Sequence, residues 1–358
     1  MPRQVTLVST TRRRLLAFTV LAPFFHREAN AFSVEIDEFR RNAINSWRRR
    51  IKGFLTRKIV PIIDTEATYN TRINLDWIRA QMDSEGVAQV CFAPHAALGS
   101  GTSRKLYDTF PDYFIPTTAD GSSLHWYRNT QSFAESTRGD LLSGRYFLMG
   151  EFELRHYPSS SQFVSGQLDR DVTVSLDDPS VHDVFRLAEE SGVAFQIHYE
   201  VEDALLTPLE AILGKYPRAN VIWCHLGQIR YSARNSTYGP DYVRGLIARF
   251  PNLQFDLGIA RPDWIYPGSR EYDSTIFQAD TGRPPHGGYL RSNWRDLIDA
   301  FPERFIAATD IDAGRFQSFP YKIRLLRDLI LSQVSTRASH LIAYQNAWRL
   351  ISREPWVD

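Results

Sequence analysis

Several apolar, strand-like runs in this chain each close on a polar residue that could carry chemistry: Glu151 in FLMGEFEL, His198 in VAFQIHYE, His225 in NVIWCHLG and Asp310 in RFIAATDID. Short continuous apolar runs are what strands buried on both faces look like. A parallel barrel carries its chemistry at the C-terminal ends of such strands. The series therefore predicts a barrel with a metal or acid/base site at one rim.

The spacing of elements supports the same fold. Eight strand candidates follow in order, beginning RKIVPIIDTEA, GVAQVCFAP, DYFIPTTAD, RYFLMGEFEL, GVAFQIHYE, ANVIWCHLG, NLQFDLG and RFIAATDID. Amphipathic segments such as SVHDVFRLAEESG and SNWRDLIDAFP lie between them and stop at Gly or Pro, as helices do. This alternation predicts an α/β chain folded as a (β/α)8 TIM barrel over residues 58–335 rather than a doubly wound sheet. A charged amphipathic helix within residues 32–57 precedes the barrel as a cap on its bottom or flank, and a C-terminal helix over 336–358 extends it. With 358 residues, 43% of them hydrophobic, the chain is long enough for one such barrel with additions.

Charge and cysteine content narrow the partners. Lys plus Arg number 42 against 41 Asp plus Glu, so no net field recommends nucleic acid or acidic membrane. Cys91 and Cys224 both sit in apolar runs, where a thiol behaves as a small hydrophobe, and strand alternation would turn Cys224 away from His225. Residues 1–31 read as an export signal: Arg12-Arg13-Arg14 opens the apolar stretch LLAFTVLAPFF, and Ala29-Asn30-Ala31 offers a small-x-small cleavage site. The twin arginine resembles a Tat signal. A mature chain starting near Phe32 is then expected in the periplasm or outside the cell, without stable membrane insertion after cleavage.

PIIDTEATY, GEFEL, QIHYE, the WCHLG that follows LEAILGKYPRANVI, and AATD together resemble the metal-dependent hydrolases of the amidohydrolase superfamily, in particular the amidohydrolase-2 branch. The similarity covers residues 58–335 and is most specific from Gln196 to Gly227. It implies a histidine from each of strands five and six, His198 and His225, and an aspartate from strand eight, Asp310. It also implies two strand-one histidines, whose places are taken here by Glu66 and Thr68. Glu151 resembles the strand-four glutamate that TatD-type members use as a ligand. The implied shell is Glu66, Glu151, His198, His225 and Asp310, a mixed oxygen and nitrogen set suited to Zn²⁺ or Mn²⁺.

The chemistry implied is hydrolysis of an ester, lactone, amide or phosphoester bond by a metal-activated water, with Asp310 as general base and His225 as ligand or substrate polariser. Two alternatives stay open. Glu66 fits a non-hydrolytic lyase, since some decarboxylases of the branch carry Glu-x-His on strand one, and Thr68 fits a metal-free lactonase or a ligand-binding barrel. His95, His125 and His156 follow strands two, three and four and are candidates for the mouth of the site. Arg155, Arg230, Arg261 and Arg315 follow other strand ends and would grip an anionic small-molecule substrate. Tyr199, Trp264 and Tyr266 are candidate aromatic walls, and residues 258–289 have the composition of an irregular lid. Self-association into a homo-oligomer is left open by the sequence.

Overall fold

The eighth strand closes onto the first. The computed structural model describes residues 22–122, 124–226, 228–312 and 314–357, and the barrel order can be followed bond by bond through them. The first strand, Ile62–Tyr69, pairs in parallel with the second, Val87–Pro94. The third position, residues 113–121, has bridges instead of a continuous ladder. Val90 donates to Tyr113 O at 3.0 Å, Ile115 to Val90 O at 3.1 Å and Thr118 to Leu148 O at 3.1 Å. Pro116 has no N–H to offer, which breaks the ladder that the sequence pattern predicts there.

The fourth strand, Leu148–His156, then pairs in parallel with the fifth, Ala194–Tyr199. The sixth, Val221–Trp223, the seventh, Leu253–Asp256, and the eighth, Phe305–Ile306, continue the same sheet. Thr65 N donates to Ala307 O at 3.2 Å and Asp310 N to Glu66 O at 3.1 Å, which completes the circle. A two-residue strand, Val172–Thr173, adds an antiparallel edge to the fourth.

The barrel's lumen is packed. Gln89, Gln196 and Gln254 are buried, and Gln196 Nε2 reaches across to Thr65 O at 2.7 Å. The outward faces meet the helices through Phe152, Phe185 and Phe195, with Phe185 edge-on to Phe195 at 4.8 Å. Alternation along each strand thus separates an apolar outer layer from a polar lumen.

The helix Ala22–Thr56 begins earlier than the sequence pattern predicts. Its residues up to Arg41 belong to a unit of their own, and the barrel unit begins at Asn42. Within the barrel unit, Ala43, Trp47, Ile51 and Phe54 are fully or almost fully buried, the 3–4 residue spacing of one helix face. Trp47 Nε1 donates to Pro111 O at 2.8 Å, and its ring stands edge-on to Phe147 at 4.8 Å. Both contacts precede strand starts, so this stretch seals the end opposite the polar rim. At the other terminus, Phe319–Leu326, Thr336–His340 and Asn346–Ser352 are α-helical; the first runs on into a π-helical stretch, Arg327–Leu331, and the last two are joined by another, Leu341–Gln345. The 258–289 segment is more ordered than an irregular lid: Ile265–Tyr266 pairs with Glu271–Tyr272, and Phe277–Ala279 with Gly288–Leu290. No helix among the described residues is long and apolar enough to cross a membrane. The twin arginine and most of the apolar stretch lie outside the described residues.

Candidate metal centre

Period-two alternation turns Glu151 and Glu153 on the fourth strand, and Gln196, His198 and Glu200 on and just after the fifth, to the lumen. His198 is gripped from both sides. Its Nε2 lies 3.1 Å from Glu200 Oε1 and its Nδ1 lies 2.9 Å from Glu151 Oε1. His225 enters from the sixth strand, its Nδ1 2.7 Å from Gly258 O and its Nε2 3.1 Å from His198 Nδ1. A carbonyl only accepts, so His225 Nδ1 carries a proton, and Nε2 is the nitrogen that a cation in the cluster would meet. Glu66 Oε1 and Glu151 Oε1 both lie 3.4 Å from that nitrogen.

Donor atoms of Glu151, His198 and His225 fall within 4.8 Å of one another, as do those of Glu66, His225 and Asp256. Both oxygens of Glu66 are buried without a hydrogen-bond partner. An orphaned buried carboxylate beside two converging imidazoles is a donor set in need of a cation, which tests the fit of a divalent metal favourably. Burial, together with the charges of Asp256, Glu151 and Asp310, pushes the Glu66 carboxyl well above its usual range. Burial also works to raise Glu151, but hydrogen bonds and charge from His198 and His225 outweigh it and hold that group well below. For His198 the opposing burial is outweighed by Glu151 and Glu200, which lift it to about 10. Protons on Glu66 and His198 would balance the cluster without a cation, and a divalent ion would displace them.

Two rim residues have left-handed backbones: His225 at φ 60° and Asp310 at φ 51°. Such conformations cost on the order of 1–3 kcal/mol in a non-glycine residue and gather at functional sites. The bend at His225 corrects the expectation that Cys224 faces away. Regular alternation has ended there, and Cys224 Sγ comes within 4.8 Å of donor atoms of Glu66 and Glu151. Burial and the nearby carboxylates push the Cys224 thiol well above its usual range, so it stays protonated. Cys91 is likewise a buried free thiol.

Asp310 stands at the edge of this cluster. Both its oxygens accept from Arg315, at 3.1 and 3.2 Å, and its side chain is one-third exposed. Burial raises it, but Arg315, His225 and Lys322 outweigh that effect and keep it ionised. Lys322, whose ammonium donates to Ile259 O at 3.2 Å, is a rim cation that the sequence pattern did not single out. Thr68 is half-buried at the end of the first strand. Asp64, two residues before Glu66, is a fastener: its Oδ1 accepts from Thr309 N at 3.0 Å and its Oδ2 from Thr309 Oγ1 at 2.6 Å, tying first strand to eighth.

The expected substrate residues separate into two groups. Arg155 and Arg230 are buried and already engaged, which corrects their assignment to an anionic substrate. Arg155 pairs with Asp171 at 2.6 Å and Glu202 at 2.8 Å. Arg230 donates to Tyr157 O at 2.6 Å and Pro158 O at 3.0 Å, with Glu200 and Asp273 each 3.4 Å from its Nε. Tyr199 alternates outward, its hydroxyl on Leu205 O at 3.1 Å, so it lines the helix layer. Arg261 and Arg315 keep exposed surface, the former paired with Asp263 at 2.7 Å. Tyr266 is buried and Trp264 exposed.

Among the histidines, His95 caps a short turn and His125 is exposed on the helix Leu124–Tyr127. His156 is buried, its ring 4.8 Å from that of His198 and its Nδ1 2.9 Å from Arg170 O. Sequence reasoning missed Asp256, Glu200 and Glu153. QIHYE and NLQFDLG hold the first two in plain view, since each is an acid at or just beyond a strand end.

The sequence from residue 153 to residue 353 matches the model of the family described as amidohydrolase, more than half of the chain. The match starts within the fourth strand, so Glu66 and Thr68 lie outside it. A similar fold is seen in an Agrobacterium tumefaciens protein solved in apo form, at 14% identity and a TM-score of 0.51 over 83% of this chain and 97% of that one. A mutant of organophosphorus hydrolase is similar too, at 10% identity and a TM-score of 0.51 over 82% and 92%. At these identities the likeness shows the fold. No curated protein matches the sequence.

Proposed function

The chain is an enzyme of the amidohydrolase family, and from that premise we propose that it hydrolyses an ester, lactone, amide or phosphoester bond in a small molecule with a divalent cation, Zn²⁺ or Mn²⁺, in its barrel mouth. One observation carries this reading: two imidazoles converge at 3.1 Å beside a buried glutamate whose oxygens have no other partner. Glu66, Glu151, His198 and His225 would hold the ion, a mixed nitrogen and oxygen set suited to either metal. When bound, it would lower the pKa of water and polarise the scissile bond.

The chain's own residues supply orientation and proton handling. Glu200 and the Gly258 carbonyl each take one imidazole nitrogen and leave the other facing the ion, the way outer partners fix ligand tautomers. Asp310, kept ionised by Arg315, His225 and Lys322, is placed to accept a proton from the attacking water. Arg261 and Arg315 keep exposed surface beside their pairings with Asp263 and with Asp310 and Asp312, so an anionic substrate would meet them in competition with those acids.

The test is a panel of carboxylate-bearing esters, lactones, amides and phosphoesters, run on protein loaded with Zn²⁺ or Mn²⁺ and on protein stripped by chelator. Metal-dependent turnover of one class, lost in Asp310→Asn, is expected. Carbon dioxide release from aromatic acids with no hydrolysis would move the reading to decarboxylation. Turnover that survives the chelator would replace it with metal-free lactonase chemistry.

A further inference from the structure

Thr68 stands where the resemblance expects a second strand-one imidazole, and nothing on the first strand makes good the loss. The seventh strand ends on Asp256, which is fully buried. Its Oδ1 accepts from two backbone amides, His225 N at 2.9 Å and Gly258 N at 3.0 Å. Its Oδ2 is buried and has no hydrogen-bond partner, although the Cys224 thiol, a weak donor, lies against the same carboxyl. One donor atom each from Asp256, Glu66 and His225 lies within 4.8 Å of the other two. Gly258 explains the proximity: a Cβ there would lie 2.5 Å from Glu66 Oε2 and 3.3 Å from Asp256 Oδ1, so the missing side chain lets the strand-seven turn close against both acids without displacing Glu66.

We propose that Asp256 is a metal ligand, supplying through Oδ2 the donor that Thr68 does not. The inference rests on the reading of a divalent cation in the barrel mouth. Asp256 is held in place by two amides on one oxygen and is unspent on the other, which is how a carboxylate is arranged when it has one remaining partner to meet. Asp310 differs on every count, since both its oxygens are taken by Arg315 and its side chain reaches solvent. The site thereby divides its acids, with Asp256 deep in the shell and Asp310 at the rim as the base.

The experiment uses the full chain and Zn²⁺ alone. Zinc affinity is measured by competition with a chelating dye, and thermal melting is followed with zinc and with chelator, for wild type, Asp256→Asn and Asp310→Asn. Asparagine keeps an oxygen for the two amides and removes a buried charge, so Asp256→Asn is expected to melt at or above the wild-type temperature in chelator. Its zinc affinity is expected to fall by more than about tenfold, with a smaller zinc-induced shift, whereas Asp310→Asn stays within about threefold of wild type. A merely structural Asp256 would give the reverse, lower melting in chelator with undiminished affinity, and overturns the proposal. If Asp256→Asn does not fold, Asp256→Glu is read by the same affinity criterion, because the longer side chain moves the ligand atom. Zinc bound equally by wild type and Asp256 variants defeats this inference alone. No zinc bound by wild type defeats it together with the metal reading.

Discussion

Gly258→Ala isolates the position of one side chain. The new Cβ would lie 2.5 Å from Glu66 Oε2 and 3.3 Å from Ala308 Cβ. Restoring ordinary van der Waals separation requires the Glu66 carboxyl to retreat by about 1 Å. That carboxyl has no hydrogen bond to lose, so the folding cost should sit at the low end of the overpacking range, about 1 kcal/mol. In a chain of this size the melting temperature should drop by about 2 °C. Metal ligation tolerates only about 0.2 Å of displacement, so zinc affinity should fall by at least about tenfold, roughly 1.4 kcal/mol. The assay pairs melting in chelator with chelator-dye competition. Glu66→Asp, one methylene shorter, should weaken binding in the wild-type background but relieve the clash beside Ala at 258, so the two effects should fail to add. Undiminished zinc affinity in Gly258→Ala would refute the reasoning, because Glu66 would then not face the lumen at that height. A one-residue change of register in the first strand would have that consequence.

Other expectations concern the frame around the site. Arg230→Met leaves Glu200 and Asp273 buried beside an apolar side chain and should cost on the order of 3–5 kcal/mol, read as a lower urea midpoint. Asp64→Ala removes the acceptor for Thr309 N and the Thr309 hydroxyl and should cost about 3 kcal/mol or more by the same measurement, although it meets the proposed ligands only through the Glu66 backbone amide, 3.3 Å from its Oδ1. Replacing Arg12 and Arg13 by lysine should retain the precursor in the cytoplasm, checked by fractionation and N-terminal sequencing; unchanged export would exclude a twin-arginine signal.

The sequence made the barrel legible because the buried strands are short apolar runs and several of the helices between them end on Gly or Pro. His198, His225 and Glu151 stood out because a polar group at the end of such a run has few structural uses, and the structure does bring them together. The third strand misled because its apolar content is strand-like while Pro116 denies it a ladder. Arg155 and Arg230 misled differently. A guanidinium after a strand end reads the same whether it faces solvent or buried acids, and Asp171, Glu202 and Asp273, which engage them, are distant in sequence. Asp256 was visible in NLQFDLG as one more acid at a strand end. Its meaning depends on Gly258 and on the left-handed turn at His225, neither of which periodicity reports.

Metal content measured by plasma mass spectrometry, on protein purified without chelators or a metal-binding tag, tests the central claim most directly when wild type is compared with His198→Ala. About one Zn²⁺ or Mn²⁺ per chain in wild type, lost in the variant, is the expected result, since His198 is one of two imidazoles at the centre of the shell. A wild-type chain that holds no metal even after incubation with excess ion would contradict it, and would mean that protons alone balance the charges of Glu66, Glu151, His198 and His225.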